Sequence, residues 1–342
     1  MDSSTNNKKQ TMTFIVGMGR SGTTMLTNML NLNPNIIACP ENEFVMYAYA
    51  DFKNKNFNDK ITVNRFINLF EGKFSKIISF WKPGNQLSYL ITELQDKTYA
   101  NVCKQVYLSY PFAQKDIELV NCIVDKNPIY SLYLDELNTI YPNSKYIVLT
   151  RDFRDNAISR KKYSDKNTSL YTLGASWNYY YEHIFKSINK SNLDYYLLRY
   201  EDLAENPSAT LQKLCKFLNI QYSENMLHFQ GLAKDIKKYV KENLNEKDFN
   251  KLNTMHSNLE KTISVDRIEA YKKELTKKEI EILDAICYKF GKKFNYTSNL
   301  DSKQSILFYL RLLFTNSKIS LYYFIHKCKL KLPIRYRLLL KL

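Results

Sequence analysis

The chain of 342 residues carries 50 Lys and Arg against 34 Asp and Glu, which gives a formal net charge of +16. Hydrophobic residues make up 44% of the sequence and aromatic residues 14%, enough for a sizeable core, which excludes a disordered or fibrous protein. The six cysteines lack the paired spacing of a disulfide framework or a zinc site, which fits a reducing, cytoplasmic setting. The excess positive charge favours an anionic partner.

Four short apolar runs, each followed by charged or glycine-containing sequence, have the pattern of buried strands in a parallel sheet. The runs are residues 14–16, 120–124, 146–149 and 195–198. Helical patterns lie between and after them, so the sequence predicts a P-loop-like, three-layer α/β/α fold around a central parallel sheet. Ligands of such folds bind at the carboxyl ends of the strands, which makes the residues after each run the candidates for a site.

Two helices are marked by boundary residues of their own. One begins at Pro207 and continues with apolar residues at helical spacing to Leu218. The other begins at the capping-box pair Thr276 and Glu279, and Gly291 stands where its C-terminal cap is expected.

A glycine loop follows the first apolar run and opens a helix. Exposed backbone N–H groups between Gly17 and Thr24, together with the positive end of the helix dipole, predict an anion site. A nucleoside triphosphate is one candidate ligand, because Gly17 and Gly22 have Walker-loop spacing, although Thr23 occupies the lysine position. A dinucleotide is the second, because Gly17, Gly19 and Gly22 spell GxGxxG and an acid follows 19 residues later.

A sulfonate donor is the third candidate ligand of this loop. The run Arg20-Ser21-Gly22-Thr23-Thr24 resembles the 5′-phosphosulfate loop of sulfotransferases that use 3′-phosphoadenosine-5′-phosphosulfate (PAPS). The resemblance implies that the backbone amides and hydroxyl groups of the loop hold the 5′-phosphate. PAPS also carries a separate 3′-phosphate, so a protein that binds it needs a second anion pocket.

The sequence offers that second pocket after the run 146–149. Arg151 and Ser159 fill the two ends of the family's 3′-phosphate motif RDxRDxxxS, and an arginine and a hydroxyl group are suitable partners for one phosphate. Arg154 lies inside the motif and is expected to be structural, paired with Asp152 or Asp155.

Three further segments extend the resemblance, which covers residues 12 to about 297. Tyr200 lies in a segment similar to the family's YEDL motif, and is implied to contribute to the adenine pocket. Lys126 lies in a segment similar to the family's NKDP motif. Lys261 lies in a segment that resembles the loop closing over the 3′-phosphate. The ordered set resembles bacterial sulfotransferases and the tyrosylprotein sulfotransferases.

The resemblance implies an in-line transfer of the sulfonyl group to a hydroxyl acceptor, without a metal. Glu41 is implied as the general base, and Glu43 is its rival because an extended backbone turns both side chains the same way. Arg20 and Lys126 are implied to stabilise the sulfonate and the leaving phosphate. A glycan or a lipid-linked saccharide is favoured as acceptor, ahead of a protein tyrosine or a small alcohol.

Composition and the family resemblance together suggest how the chain is divided. Residues 1–11 are expected to form a flexible tail, residues 12–297 a sulfotransferase domain with an acceptor-side insertion at 51–120, and residues 298–342 a basic amphipathic extension. Residues 301–342 contain nine Lys and Arg but one acid. No apolar run reaches the roughly 18 residues that a membrane-spanning helix needs.

The basic extension leaves two roles open. It forms a helix that packs on the domain or across a homodimer, or it binds peripherally to an anionic membrane, at the inner face. Two other function classes also stay open: a P-loop nucleotide kinase or NTPase, and a non-enzymatic basic protein that binds membrane or nucleic acid. Nucleic acid is not expected, because no zinc finger, RRM signature or basic zipper is present.

Overall fold

The protein is described here by a computed structural model for residues 10–70, 83–112, 115–163, 168–243, 263–296 and 304–339. Its strands are β1 (Thr11–Val16), β2 (Ile36–Cys39), β3 (Cys122–Lys126), β4 (Lys145–Thr150) and β5 (Tyr195–Arg199). They form one sheet of five strands in the order β2-β3-β1-β4-β5. Every neighbouring pair is parallel.

Helices connect and cover these strands. In chain order they are α1 (Thr23–Asn31), α2 (Phe44–Phe52), α3 (Lys60–Ile67), α4 (Leu87–Thr92), α5 (Tyr99–Leu108), α6 (Leu134–Ile140), α7 (Phe153–Lys161), α8 (Leu170–Ser191), α9 (Tyr200–Glu205), α10 (Pro207–Leu218), α11 (Gln230–Asn243), α12 (Tyr271–Glu274), α13 (Lys277–Lys293), α14 (Ile306–Lys331) and α15 (Ile334–Leu339).

The sheet separates two apolar clusters, because successive residues of a strand point to opposite faces. Phe14 and Val16 of β1 belong to the cluster that includes side chains of α2, α5, α8 and α13. Ile15, between them, belongs to the cluster formed with α1, α9 and α10. All three side chains are excluded from solvent. Helices on both faces of a parallel sheet confirm the predicted three-layer α/β/α fold.

The parallel arrangement places the carboxyl ends of all five strands at one edge of the sheet. The glycine loop follows β1, Glu41 follows β2, Lys126 ends β3, Arg151 follows β4 and Tyr200 follows β5. Candidate residues that are far apart in sequence are therefore gathered at this edge. Four of the five strands, all except β2, coincide with predicted apolar runs.

The two helices predicted from boundary residues are present as α10 and α13. The side chains of Thr276 and Glu279 form the expected capping box at the start of α13. The expectation that Gly291 caps the end of α13 is wrong, because the helix continues to Lys293. Gly291 is needed for packing instead, since a Cβ atom there would lie 2.8 Å from the ring of Phe153.

We expect Gly291→Ala to lower the free energy of unfolding by about 1 to 3 kcal/mol, because the buried Phe153 ring is packed against Trp177 and leaves no room for a methyl group. Helix propensity alone predicts the opposite, a gain of about 1 kcal/mol. Gly231→Ala in α11 is the matched control, since an added Cβ there meets no atom within 4 Å. Urea unfolding measures both, and equal stability of the two variants contradicts the packing argument.

Candidate active site

The glycine loop passes so close to its neighbours that two of its positions exclude a side chain. Gly17 has φ of +139°, and a Cβ atom on it would lie 2.1 Å from the carbonyl oxygen of Leu149. Gly22 has φ of +91°, and a Cβ atom on it would lie 2.6 Å from the ring of Tyr200. Gly19, in contrast, has open space around it. The loop therefore packs closely against β4 and against Tyr200, the first residue of α9.

The start of α1 has the character of an anion site. Gly22 occupies the N-cap position, none of the described side chains caps the helix, and the first turn carries no acid. The first N–H groups of α1 therefore lack partners within the helix. Asn156 of α7 fixes the loop by donating from Nδ2 to the carbonyl oxygen of Gly19 at 2.9 Å and to Ser21 Oγ at 3.1 Å.

Arg151 lies against this loop and is nearly buried, with 7% of its surface exposed. Its guanidinium stacks on the Tyr200 ring at 4.5 Å, on the ring that also packs against Gly22. One terminal nitrogen donates to the carbonyl oxygen of Arg267 at 2.8 Å, and the other lies 3.5 Å from that of Arg20. Its Nε is buried, and no described residue forms a hydrogen bond with it. The second predicted pocket thus adjoins the first across Tyr200.

Arg20 connects the loop to α7. Its backbone is left-handed, with φ of +69°. Its Nε lies 3.4 Å from Ser159 Oγ, and its guanidinium covers the ring of Tyr163 at 4.4 Å. Burial, together with the nearby charge of Arg151, lowers the pKa of Arg20. Arg20, Arg151 and Ser159 therefore form one basic cluster beside the start of α1.

Lys126 and Glu41 meet at the ends of two neighbouring strands. The pairing of Cys39 with Asp125 in β2 and β3 brings their following residues side by side. Lys126 Nζ lies 2.6 Å from Glu41 Oε1, and the two side chains are 3% and 42% exposed. The same ammonium lies 3.4 Å from Thr24 Oγ1. Lys126 therefore lies between an accessible carboxylate and the glycine loop.

Glu43 differs from Glu41 in environment, and the expectation that both face the same way on an extended backbone is wrong. The chain has already turned at Glu43, with φ of −77° and ψ of 15°, to start α2. Burial, and secondarily the charge of Glu41, raises the pKa of Glu43 to about 7. Burial likewise raises the pKa of Asp125, next to Lys126, to about 7. The accessible carboxylate is that of Glu41.

Arg154 is structural, as the sequence predicted for it. It is buried and pairs with Asp152 at 2.7 Å and with Asp284 of α13 at 3.3 Å. Asp155 accepts hydrogen bonds from the backbone N–H groups of Glu269 and Tyr271, which ties the segment before α12 to α7. Every charged side chain of this group is compensated within the protein.

Three residues near the cluster were missed in the sequence, namely Asn156, Tyr163 and Arg267. Asn156 lies inside the motif that begins at Arg151, three residues before Ser159, so the i, i+3 spacing of a helix could have indicated it. Arg267 accepts from Arg151 through its carbonyl group. Lys261, which the resemblance placed over the second pocket, lies outside the described residues.

Comparison with known proteins gives consistent matches. The family model described as "Sulfotransferase family" matches residues 13–224. A putative protein-tyrosine sulfotransferase of Caenorhabditis briggsae is 32% identical over 120 residues, which cover 34% of the chain and 43% of that protein. Protein-tyrosine sulfotransferase 1 of Danio rerio is 22% identical over 233 residues, which cover 66% of the chain and 58% of that protein. The matched part thus spans about half the length of these relatives.

Solved structures share the fold. The sulfotransferase domain from the curacin biosynthetic pathway aligns with a TM-score of 0.53 at 18% identity, covering 85% of this chain and 99% of that domain. The sulfotransferase domain from the Synechococcus PCC 7002 olefin synthase aligns with a TM-score of 0.50, also at 18% identity, covering 86% of this chain and 98% of that domain. At this level of identity the likeness concerns the fold alone.

The two arginines three residues apart should respond differently to the same substitution. We expect Arg154→Met to lower the free energy of unfolding by about 3 kcal/mol or more, because it leaves Asp152 and Asp284 buried without their cation. Arg151→Met should cost less, about 1 to 2 kcal/mol, because its hydrogen-bond partners are carbonyl groups and no buried carboxylate loses an ion pair. Chemical unfolding measures both, and an equal loss in the two variants would show that Arg151 is structural as well.

Proposed function

Since the chain belongs to the sulfotransferase family, we propose that it transfers the sulfonyl group of PAPS to a hydroxyl group of an acceptor. One observation carries this proposal above the others. The Tyr200 ring lies between Arg151 and Gly22, so the cation that we assign to a second phosphate adjoins the start of α1. An adenosine nucleotide with phosphates at both its 3′ and 5′ positions matches this arrangement.

The residues present fit such a donor. The first N–H groups of α1 and the hydroxyl groups of Ser21, Thr23 and Thr24 suit the 5′-phosphate, which accepts hydrogen bonds and carries negative charge. The buried Nε of Arg151 has no hydrogen-bond partner among the described residues, which suits a cation that binds an anionic ligand. Ser159 adds a hydroxyl group to the same basic cluster.

The contacts of Lys126 support the assignment of the chemistry. In the reaction, the acceptor oxygen forms a bond to sulfur while the bond between sulfur and the 5′-phosphate oxygen breaks, which releases adenosine 3′,5′-bisphosphate. We assign the acceptor proton to the Glu41 carboxylate. Lys126 lies between Glu41 and Thr24, so it can orient the base and also neutralise the charge that develops on the leaving phosphate, together with Arg20.

The acceptor is proposed as a hydroxyl group of one of two classes. The relatives named protein-tyrosine sulfotransferases support a tyrosine side chain. The sequence analysis favoured a glycan or a lipid-linked saccharide. A screen with a tyrosine-containing acidic peptide, a soluble glycan and a lipid-linked saccharide, each with PAPS, distinguishes the classes by the product that carries the sulfate.

We expect Glu41→Gln to lower kcat by at least about 100-fold, because the amide cannot accept the acceptor proton. The affinity for adenosine 3′,5′-bisphosphate should stay within a few-fold, since Glu41 is assigned to the acceptor and not to the nucleotide. Formation of adenosine 3′,5′-bisphosphate from PAPS measures turnover. Normal turnover of the variant would remove Glu41 from the role of base.

Glu43→Gln is the matched control for that experiment. With its pKa raised to about 7, Glu43 is largely protonated below that pH, and an amide imitates the protonated carboxyl group. We therefore expect Glu43→Gln to retain turnover within a few-fold at pH 6. A severe loss in Glu43→Gln combined with normal turnover in Glu41→Gln would exchange the two roles.

The hypothesis that one nucleotide binds through both its 3′- and 5′-phosphates is tested by comparing ligands with and without the 3′-phosphate. We expect Arg151→Met to weaken binding of adenosine 3′,5′-bisphosphate by about 100-fold, because a charge-assisted contact to the 3′-phosphate is lost. Binding of adenosine 5′-monophosphate, which lacks that phosphate, should hardly change. Calorimetry measures the affinity of the unchanged protein and of the variant for both nucleotides, which gives a thermodynamic cycle. ATP and NAD are included as competing ligands. Equal weakening for both adenosine phosphates would place Arg151 elsewhere.

A further inference from the structure

The C-terminal helix α14 packs on the domain along one stripe of residues. Phe308 and Ile319 are buried, and Tyr323 stacks on Tyr179 of α8 with ring centroids 5.1 Å apart. The Tyr133 hydroxyl forms a hydrogen bond of 2.6 Å with Nδ1 of His326. The spacing of residues 308, 312, 315, 319, 323, 326 and 330 by three or four places them on one face of the helix. This face of α14 is therefore covered by the domain.

The opposite face of α14 is also apolar, and it is exposed. On a helix with 3.6 residues per turn, six large apolar side chains lie opposite the packed stripe. Each of them is more than half exposed: Ile306, Leu310, Leu313, Phe314, Leu321 and Phe324. They form a row about 27 Å long, at 1.5 Å per residue. We call this row the outer face. So long a row of leucine and phenylalanine side chains indicates an interaction surface.

Positive charge borders the outer face. Within Ile306–Lys331 the charged residues are Arg311, Lys318, Lys327, Lys329 and Lys331, with no acid among them. On the helical wheel three of them lie along one side of the outer face and two along the other. The partner of the outer face must therefore accept a straight apolar row and supply negative charge on both sides of it.

An anionic membrane surface meets both requirements. Its acyl chains accept leucine and phenylalanine side chains without a matching shape, and its phosphate groups attract the flanking lysines. A second copy of the chain does not meet them. In a twofold interface the outer face would meet itself and bring like charges together without a compensating acid. Within the described residues no helix is both long enough and apolar enough to cross a bilayer.

We propose that the outer face of α14 docks the protein on an anionic membrane surface, with the helix lying in the plane of the headgroups. This inference rests on exposure and charge alone and does not depend on the proposed sulfonyl transfer. It identifies the partner of the exposed apolar row by chemistry, as an anionic lipid surface. It also explains why this helix has a packed apolar face and an exposed apolar face at once.

Vesicle flotation of the full chain tests the proposal. The probes are vesicles of phosphatidylcholine alone and vesicles that contain about a quarter phosphatidylglycerol. We expect the protein to float with the anionic vesicles and not with the neutral ones, and to bind less as salt rises. The variant with Leu310→Ser, Phe314→Ser and Leu321→Ser should bind at least about tenfold less, because three inserting side chains are lost.

Two comparisons make the result specific. The control variant carries Ile61→Ser and Tyr89→Ser, which remove exposed apolar side chains of similar size from α3 and α4, and it should bind like the unchanged protein. Lys318→Gln with Lys331→Gln should weaken binding to the anionic vesicles about tenfold through lost charge. Both lysines are exposed, so these changes should leave the fold intact.

The proposal is overturned if the unchanged protein fails to float with anionic vesicles, or if the triple variant floats equally well. It is also overturned if light scattering shows a dimer that the triple variant abolishes while no vesicle binding occurs, because the outer face is then covered by a second copy. Sulfonyl transfer to a soluble acceptor is measured on the same samples. Loss of transfer and loss of docking are thus separate results.

Discussion

The packing of the Tyr200 ring against Gly22 is the contact on which the site depends. A Cβ atom at residue 22 would lie 2.6 Å from that ring, so the contact exists only because residue 22 is glycine. The ring in turn supports the guanidinium of Arg151 at 4.5 Å. Through this contact, the end of β5 fixes the distance between the loop after β1 and the arginine after β4. The spacing of the two proposed anion pockets is thereby set by the backbone.

Charge compensation distinguishes the residues that serve the fold from those that we propose to bind a ligand. Arg154 meets two carboxylates, and Asp155 meets two backbone N–H groups. Among the described residues, the hydrogen bonds of Arg151 go to carbonyl groups, and its buried Nε has no hydrogen-bond partner. A buried guanidinium with an unsatisfied N–H group is costly for a folded protein unless an acceptor binds there. The sequence motif contains both arginines, and their environments give them different roles.

The parts of the fold that are visible in the sequence are those set by local pattern. Apolar runs predicted strands β1, β3, β4 and β5. The motifs next to these runs pointed to Arg151, Lys126 and Tyr200 as candidate site residues. β2 was missed because its four residues are too short for a periodic signal. Gly291 was misread because its close neighbour, Phe153, is distant in sequence. Asn156 and Glu43 were also misjudged or missed. Their environments depend on contacts and burial that a local sequence pattern does not contain.

Helix α2 connects the proposed chemistry to the C-terminal helices. It begins just after Glu43, and Asp51 near its end accepts a hydrogen bond of 2.8 Å from the backbone N–H of Ile334 and pairs with Arg337. Nine residues of helix span only about 13 Å, so the Glu41 side of the site and the end of the basic extension are close neighbours. If α14 lies on a bilayer as proposed, this short buried link would fix the orientation of the Glu41 carboxylate relative to the membrane. A membrane-bound acceptor then meets the enzyme in a defined direction, whereas a soluble acceptor gains nothing from that orientation.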